Sequence, residues 1–109
     1  RDFTYIDNVI QANLLSIITD KKEAINTVYN IAYGDRNTLN DLITYLKEFL
    51  TEYDTKIKNI DVIYGPNRIG DISHSLASVA KAKKLLNYQP QYSLEAGLKE
   101  AVKWYWKNL

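Results

Sequence analysis

Apolar residues recur along this chain at two spacings, and the alternation between them sets out its elements. Ile10, Leu14, Ile17 and Ile18 repeat at helical intervals behind Asp7, a good N-cap residue. Lys21, Lys22 and Glu23 form a solvated break, after which Val28 to Ala32 reads as a short strand ending near Gly34. Thr38 then opens a second helix, with Asp41 three residues on as a shorter stand-in for the glutamate of a capping box. That helix has the clearest stripe in the chain: Leu39, Leu42, Ile43, Leu46, Phe49, Leu50 and Tyr53. Ile60 to Tyr64 reads as a second strand, stopped by Gly65 and Pro66. Ser78 is placed to cap a third helix bearing Val79, Ala82, Leu85 and Leu86, which Asn87 closes ahead of Pro90. Ser93 opens the last helix, with Leu94, Leu98, Ala101, Val102 and Tyr105 on one side.

The pattern therefore predicts an α/β chain of four helices and at least two short strands. Residues 1–109 form a single unit, with no internal repeat, low-complexity segment or linker. Two strands are too few for an independent sheet. Their apolar faces are expected to complete a larger sheet or to pair with each other beneath the helices.

Composition narrows the function classes. With 109 residues the chain can bury roughly 65% of its unfolded surface. The 14 basic and 13 acidic residues leave a net charge of +1, so charge gives no reason to expect nucleic acid or an anionic membrane as partner. Apolar runs are far shorter than the roughly 20 residues that span a bilayer. The chain has no cysteine, which removes disulfides and thiolate metal sites and fits a reducing, cytoplasmic setting. It also has no methionine. The expectation is a processed product or a piece of something longer.

The catalytic inventory is mostly negative. One histidine, His74, stands without a serine–carboxylate or cysteine arrangement, and no second histidine exists to build a metal pair. Neither a Gly-x-Gly-x-x-Gly turn nor a phosphate-binding Gly-x-x-x-x-Gly-Lys loop is present, and no tyrosine is followed four residues later by lysine. No catalytic and no metal-binding residue is assigned. What remains is recognition, and the arginines carry it. Eleven of the basic residues are lysines, most of them on or beside predicted helices, while Arg1, Arg36 and Arg68 all lie in predicted non-helical segments.

The densest polar cluster follows the turn Tyr64-Gly-Pro-Asn67. It contains Arg68, Gly70, Asp71, Ser73, His74 and Ser75, in a segment with no helical or strand period. A planar guanidinium suits bidentate binding of phosphate, and a carboxylate three residues on can accept from sugar hydroxyls. This loop reads as a grip for a phosphorylated sugar or nucleotide. The structural alternative pairs Arg68 with Asp71 at the start of the third helix. His74 reads as a surface histidine, Trp104, Tyr105 and Trp106 as packing for the last helix, and Lys81, Lys83 and Lys84 as a solvated face.

Several phrases occur in one order: Arg1-Asp-Phe-Thr-Tyr-Ile-Asp-Asn-Val9; Tyr29-Asn-Ile-Ala32 through Gly34; Arg68-x-Gly70-Asp71; Leu85-Leu-Asn-Tyr88-x-Pro90; and Leu94-x-x-Gly97-Leu98. Together they resemble the C-terminal, substrate-binding portion of the extended short-chain dehydrogenase/reductase (Rossmann-type) epimerases that act on sugar nucleotides. The resemblance covers nearly the whole chain. The wording from Asp71 to Ser75 is most similar to the UDP-N-acetylglucosamine 4-epimerase branch of polysaccharide biosynthesis.

The resemblance implies roles residue by residue. Arg1 and Arg68 correspond to arginines that bind the UDP pyrophosphate, and Asp71 to the carboxylate that holds the uridine ribose. Phe3 corresponds to a position near the nucleotide, and Asp35 and Arg36 to a loop that approaches it. Ser75 corresponds to a position bordering the sugar pocket, where a small side chain leaves room for an N-acetyl group. By the same resemblance the parent is an NAD-dependent isomerase acting on UDP-N-acetylglucosamine or UDP-glucose. Its NAD and its Tyr-x-x-x-Lys pair belong to an N-terminal Rossmann domain absent from this chain, and it forms a homodimer. The segment alone is then inactive and holds no cofactor. The same role in a nucleotide-sugar dehydratase or decarboxylase, and a non-catalytic helical interaction module, are the alternatives.

Overall fold

The computed structural model describes every residue from Arg1 to Leu109. It contains four α-helices: α1 (Ile6–Ile18), α2 (Leu39–Thr51), α3 (Ala80–Leu86) and α4 (Leu94–Asn108). Short 3₁₀ turns at Lys22–Ala24 and Thr55–Asn59 complete the regular structure.

Local chemistry accounts for most helix ends. The Thr38 hydroxyl accepts from the Asp41 N–H at 3.0 Å while the Asp41 carboxylate accepts from the Thr38 N–H at 2.7 Å, a complete capping box. The Thr38 hydroxyl also donates to the Asp41 carboxylate, at 2.8 Å. The two bonds that carboxylate accepts, from the Thr38 N–H first and the hydroxyl second, hold it below the ordinary carboxylate range. Ser93 Oγ accepts from the Ala96 N–H at 3.2 Å and starts α4. Asn87 ends α3 in the left-handed region, at φ 55° and ψ 31°. Two expected caps are displaced. α1 begins at Ile6, so Asp7 lies in its first turn, where a carboxylate suits the positive end of the helix dipole. α3 begins at Ala80 behind Val79, and Ser78 caps nothing.

The strands are a correction. Neither Val28–Ala32 nor Ile60–Tyr64 forms a strand, and the chain is all-helical rather than α/β. The first segment keeps the alternation of a half-buried strand: Tyr29 and Ile31 pack on the core while Val28 is exposed. Its backbone is satisfied by side chains instead of a ladder. Lys81 Nζ donates to the Val28 carbonyl at 2.9 Å and the Tyr88 hydroxyl to the Ala32 carbonyl at 2.8 Å. The second segment is exposed throughout. Alternation prepares a segment for a sheet, but a strand exists only where a neighbour supplies the other half of its hydrogen bonds.

Two packed units result. α1 and α3 enclose a core of Ala12, Ala32, Val79, Ala82 and Tyr88, and α2 packs against α4. Asn8 joins the two. It is 0% exposed, and its Oδ1 accepts from the N–H groups of Gln91 at 2.9 Å and Tyr92 at 3.1 Å. Its Nδ2 donates to the Tyr92 carbonyl at 2.8 Å. Gly97 permits a second junction: a Cβ there would lie 2.7 Å from Tyr5 Cβ, so only glycine lets the N-terminal segment lie on α4.

The molecule is flat, 54 × 35 × 19 Å, with a radius of gyration of 17.0 Å. About 13 Å is expected for a compact chain of this length. The excess reflects apolar surface left outside. On α1 the inward face is made by Asn8 and Ala12, and the apolar stripe points outward, with Ile17 77% and Ile18 73% exposed. Trp104, Tyr105 and Trp106 are also about half exposed, although Trp106 stacks on Tyr53 with ring centroids 5.1 Å apart. Lys81 is not merely solvated: besides its bond to Val28 it donates to Thr27 and lies over the Tyr29 ring. No helix is long and apolar enough to cross a membrane.

Candidate functional site

The N-terminal segment brings the distant polar residues together. The Arg1 nitrogen donates to the Asn37 carbonyl at 2.7 Å and the Asn37 N–H to the Arg1 carbonyl at 2.9 Å. This reciprocal pair fixes the segment against the loop carrying Asp35 and Arg36. Asp2 secures the next residue: its carboxylate accepts from the Gly34 N–H at 3.1 Å and the Ala77 N–H at 3.4 Å. Gly34 has φ 90°, a conformation that glycine adopts without strain. One side chain thereby joins the chain start, the loop ahead of α2 and the approach to α3.

The polar loop is a tight turn. The Asp71 N–H donates to the Arg68 carbonyl at 3.2 Å, and Gly70 between them has φ 82°, as the third position of a type II turn requires. Arg68 and Asp71 are the first and fourth residues of that turn. The Arg1 guanidinium forms an ion pair with the Asp71 carboxylate, 70 residues away in sequence. The bland expectation of an Arg68–Asp71 side-chain pair is not met. Arg1 has taken the carboxylate, and no hydrogen bond or ion pair within the chain engages the guanidinium of Arg68 or of Arg36. The Asp35 carboxylate accepts from its neighbour's N–H at 2.8 Å.

The predicted residues thus divide. Arg1 and Asp71 are in direct contact, Arg68 shares the turn with Asp71, and Asp35 and Arg36 adjoin the residue that Arg1 pairs with. Phe3 faces elsewhere, into an apolar cavity of about 220 Å³ that it lines with Tyr5, Leu42, Leu94 and Leu98. Ser75 and His74 are exposed and make no side-chain hydrogen bond in the chain. Asp2 escaped sequence reasoning, because an acidic residue beside Arg1 looks like any surface charge until the backbone N–H groups it serves are placed around it.

Chemically, the arrangement can bind an anion. Guanidinium groups stay protonated at any working pH and offer paired donors to phosphate, while an ionised carboxylate can only accept. The three groups whose titration is shifted lie outside the cluster: Asp41 at the α2 cap, and Tyr5 and Tyr88, both raised chiefly by burial. No cluster of three or more histidine, cysteine, aspartate or glutamate side chains is gathered to hold a metal.

No protein-family model matches the chain. Curated relatives do. The chain is 32% identical to UDP-glucuronate 4-epimerase 5 of Arabidopsis thaliana over 96% of its own length and 25% of the relative. It is 32% identical to a UDP-glucuronate 4-epimerase of Thermodesulfobacterium geofontis over 100% of its length and 31% of the relative. An uncharacterized protein of Methanocaldococcus jannaschii is 31% identical over 99% of the chain and 30% of the relative. The chain therefore spans about a quarter to a third of the relatives it matches. The matches to epimerases fall on their C-terminal part. The two named enzymes are UDP-glucuronate 4-epimerases, not UDP-N-acetylglucosamine 4-epimerases.

Proposed function

We propose that this chain binds the UDP moiety of a nucleotide sugar, as the C-terminal substrate-binding part of a 4-epimerase. One observation carries the reading: Arg1 and Asp71, assigned to opposite parts of one nucleotide, are brought into contact across 70 positions of sequence. Arg68 shares the turn with Asp71. In this reading Arg1 and Arg68 grip the pyrophosphate and Asp71 accepts from ribose hydroxyls. Asp35 and Arg36 line the approach and Ser75 bounds the sugar pocket, while Phe3, whose side chain lines the apolar cavity, anchors the segment that carries Arg1. Tight hold on the UDP with few contacts to the sugar is what a 4-epimerase needs, because the oxidised sugar must present both faces within one site.

The chain does not fit NAD. Its four glycines, Gly34, Gly65, Gly70 and Gly97, are scattered, and no glycine-rich turn joins a strand to a helix. The dinucleotide and the acid–base pair belong, in this proposal, to a preceding Rossmann portion of a longer, homodimeric, cytoplasmic enzyme, and the segment alone is inactive. The outward stripe of α1 supports such a neighbour, since a helix face made of Ile10, Leu14, Ile17 and Ile18 gains by being covered.

Substrate choice has two readings. Ser75 is small and favours an N-acetylhexosamine, whereas the names of the relatives favour a uronate. Incubating the intact protein with UDP-N-acetylglucosamine, UDP-glucose and UDP-glucuronate, and resolving epimers from 4-keto or decarboxylated products, decides among them and against a dehydratase or decarboxylase. Calorimetric titration with UDP tests the site itself. Arg68→Ala is expected to weaken binding about 10- to 100-fold, from the loss of one charge-assisted contact. Unchanged affinity would overturn the assignment. Ser75→Tyr is expected to lose N-acetylated substrate selectively, and equal loss on all three sugars would sink the pocket-size argument.

A further inference from the structure

Between α2 and α3 the chain from Ile60 to Leu76 runs on the surface, and of its large apolar side chains only Val62 and Leu76 are covered to half or more. Three side-chain links tie it to the rest. Lys47 Nζ donates to the Ile60 carbonyl at 2.6 Å, and the Tyr64 hydroxyl to Asn40 Oδ1 at 3.1 Å. The third is the Arg1–Asp71 ion pair. The first two hold the rising half of the strap along α2. Beyond Tyr64 the ion pair is the sole side-chain link until the Ala77 N–H reaches Asp2. Around the turn the apolar side chains Ile69 and Ile72 point into solvent, and only Leu76 at the far end of this half is partly covered, so little burial holds the turn down. Gly65 precedes the turn and Gly70 lies within it, and neither is packed against a neighbour, so the backbone is free to swing.

We infer that the Arg1–Asp71 pair is a latch, closed in the absence of ligand and opened by an incoming diphosphate that takes the Arg1 guanidinium from the carboxylate. The inference rests on the nucleotide reading above and adds a conformational step to it. A guanidinium presents one paired-donor edge to its best acceptor, and a pyrophosphate carries more charge and more acceptor oxygens than a carboxylate. An exposed pair is weak enough to exchange on binding yet sufficient to set the resting position of an otherwise loose strap. Once released, Asp71 has both oxygens available for hydroxyl donors. The strap then re-seats with Arg68 and Asp71 on opposite sides of the same ligand. Both residues of the latch are thus part of the grip.

The chain contains no cysteine, so spin labels can be set at Ile69→Cys on the strap and Glu48→Cys on the exposed side of α2. Electron–electron distance distributions are then recorded on the intact protein. Without ligand, Asp71→Asn should raise the open, long-distance population about two- to fivefold, the range set by the strength of an exposed ion pair. The charge-reversed double variant Arg1→Asp with Asp71→Arg should restore the closed distribution. Inorganic pyrophosphate, which has no ribose hydroxyls for Asp71 to accept from, should shift the parent's distribution away from the closed one. A ligand-free Asp71→Asn distribution superimposable on the parent's overturns the latch. Pyrophosphate that binds, by calorimetry, without shifting the parent's distribution overturns the exchange. Failure of UDP and pyrophosphate to bind refutes the nucleotide reading instead, and the ligand-free comparison distinguishes that outcome because it involves no ligand.

Discussion

Asn8→Ala should cost this molecule more than any surface substitution, and the structure sets the amount. Asn8 is fully buried, and its carboxamide serves three backbone groups of Gln91 and Tyr92, up to 84 positions away. A planar amide sets two acceptor lone pairs and a donor side by side, on separate atoms, as these three backbone groups require. Truncation leaves all three groups without their partner. Gln91 is exposed, so its N–H returns to water, whereas Tyr92 is half-buried and its N–H and carbonyl are stranded. At about 1–3 kcal/mol for each unsatisfied buried group, and with a water able to enter the polar gap, the net loss is about 2–4 kcal/mol. That is a large share of the roughly 5–15 kcal/mol that holds a domain together. Urea denaturation followed by the emission of Trp104 and Trp106 measures it as a shift of midpoint at constant slope. Asn8→Asp keeps the volume and the acceptors but removes the donor and sets a carboxylate against the Tyr92 carbonyl, so a comparable loss is expected. A loss under about 0.5 kcal/mol for Asn8→Ala would refute the reasoning, since that is the scale of an ordinary surface change.

Three further outcomes are expected. Gly97→Ala sets a gain of about 1 kcal/mol in helix propensity against overpacking that costs about 1–3 kcal/mol. The clash falls on the root of the Tyr5 side chain, which cannot swing aside, so the melting temperature should fall, and a rise would show that the N-terminal segment yields instead. Tyr88→Phe strands the Ala32 carbonyl in the core and should cost about 1–3 kcal/mol by chemical denaturation. Asp41 titrates below its ordinary range when folded, so its contribution is full above the unfolded value of about 4 and fades as pH falls through the folded one. The difference in melting temperature between the parent and Asp41→Asn should therefore narrow as pH drops from about 5 towards 2. A gap independent of pH would remove the charge of Asp41 from the account.

The site was legible in the sequence as far as its ingredients. Arg68, Gly70 and Asp71 stand within four positions, and a turn with glycine third is a local event. That Arg1, not Arg68, holds Asp71 could not be read, because it depends on where a segment 70 residues earlier is laid down. The same reason hides Asp2. It also leaves Phe3 on the apolar cavity beside α2 and α4, although it stands two residues from the ion pair.

Helix ends divide along the same line. Thr38 with Asp41, Ser93 with Ala96 and the left-handed Asn87 were fixed by the sequence alone, since a cap is completed within a turn of chain. The tertiary structure decided the features that need a distant partner. Val28–Ala32 and Ile60–Tyr64 carry strand composition, yet neither finds a neighbour to complete a ladder. On α1 the periodicity located a helix but not its inner face. Asn8 goes inward because its amide serves the backbone of Gln91 and Tyr92, Ala12 joins Ala82 and Tyr88 in the core, and the isoleucines are left on the outside. Hydrophobic periodicity measures how much a face gains by being covered; which face is covered depends on the shape of what lies opposite.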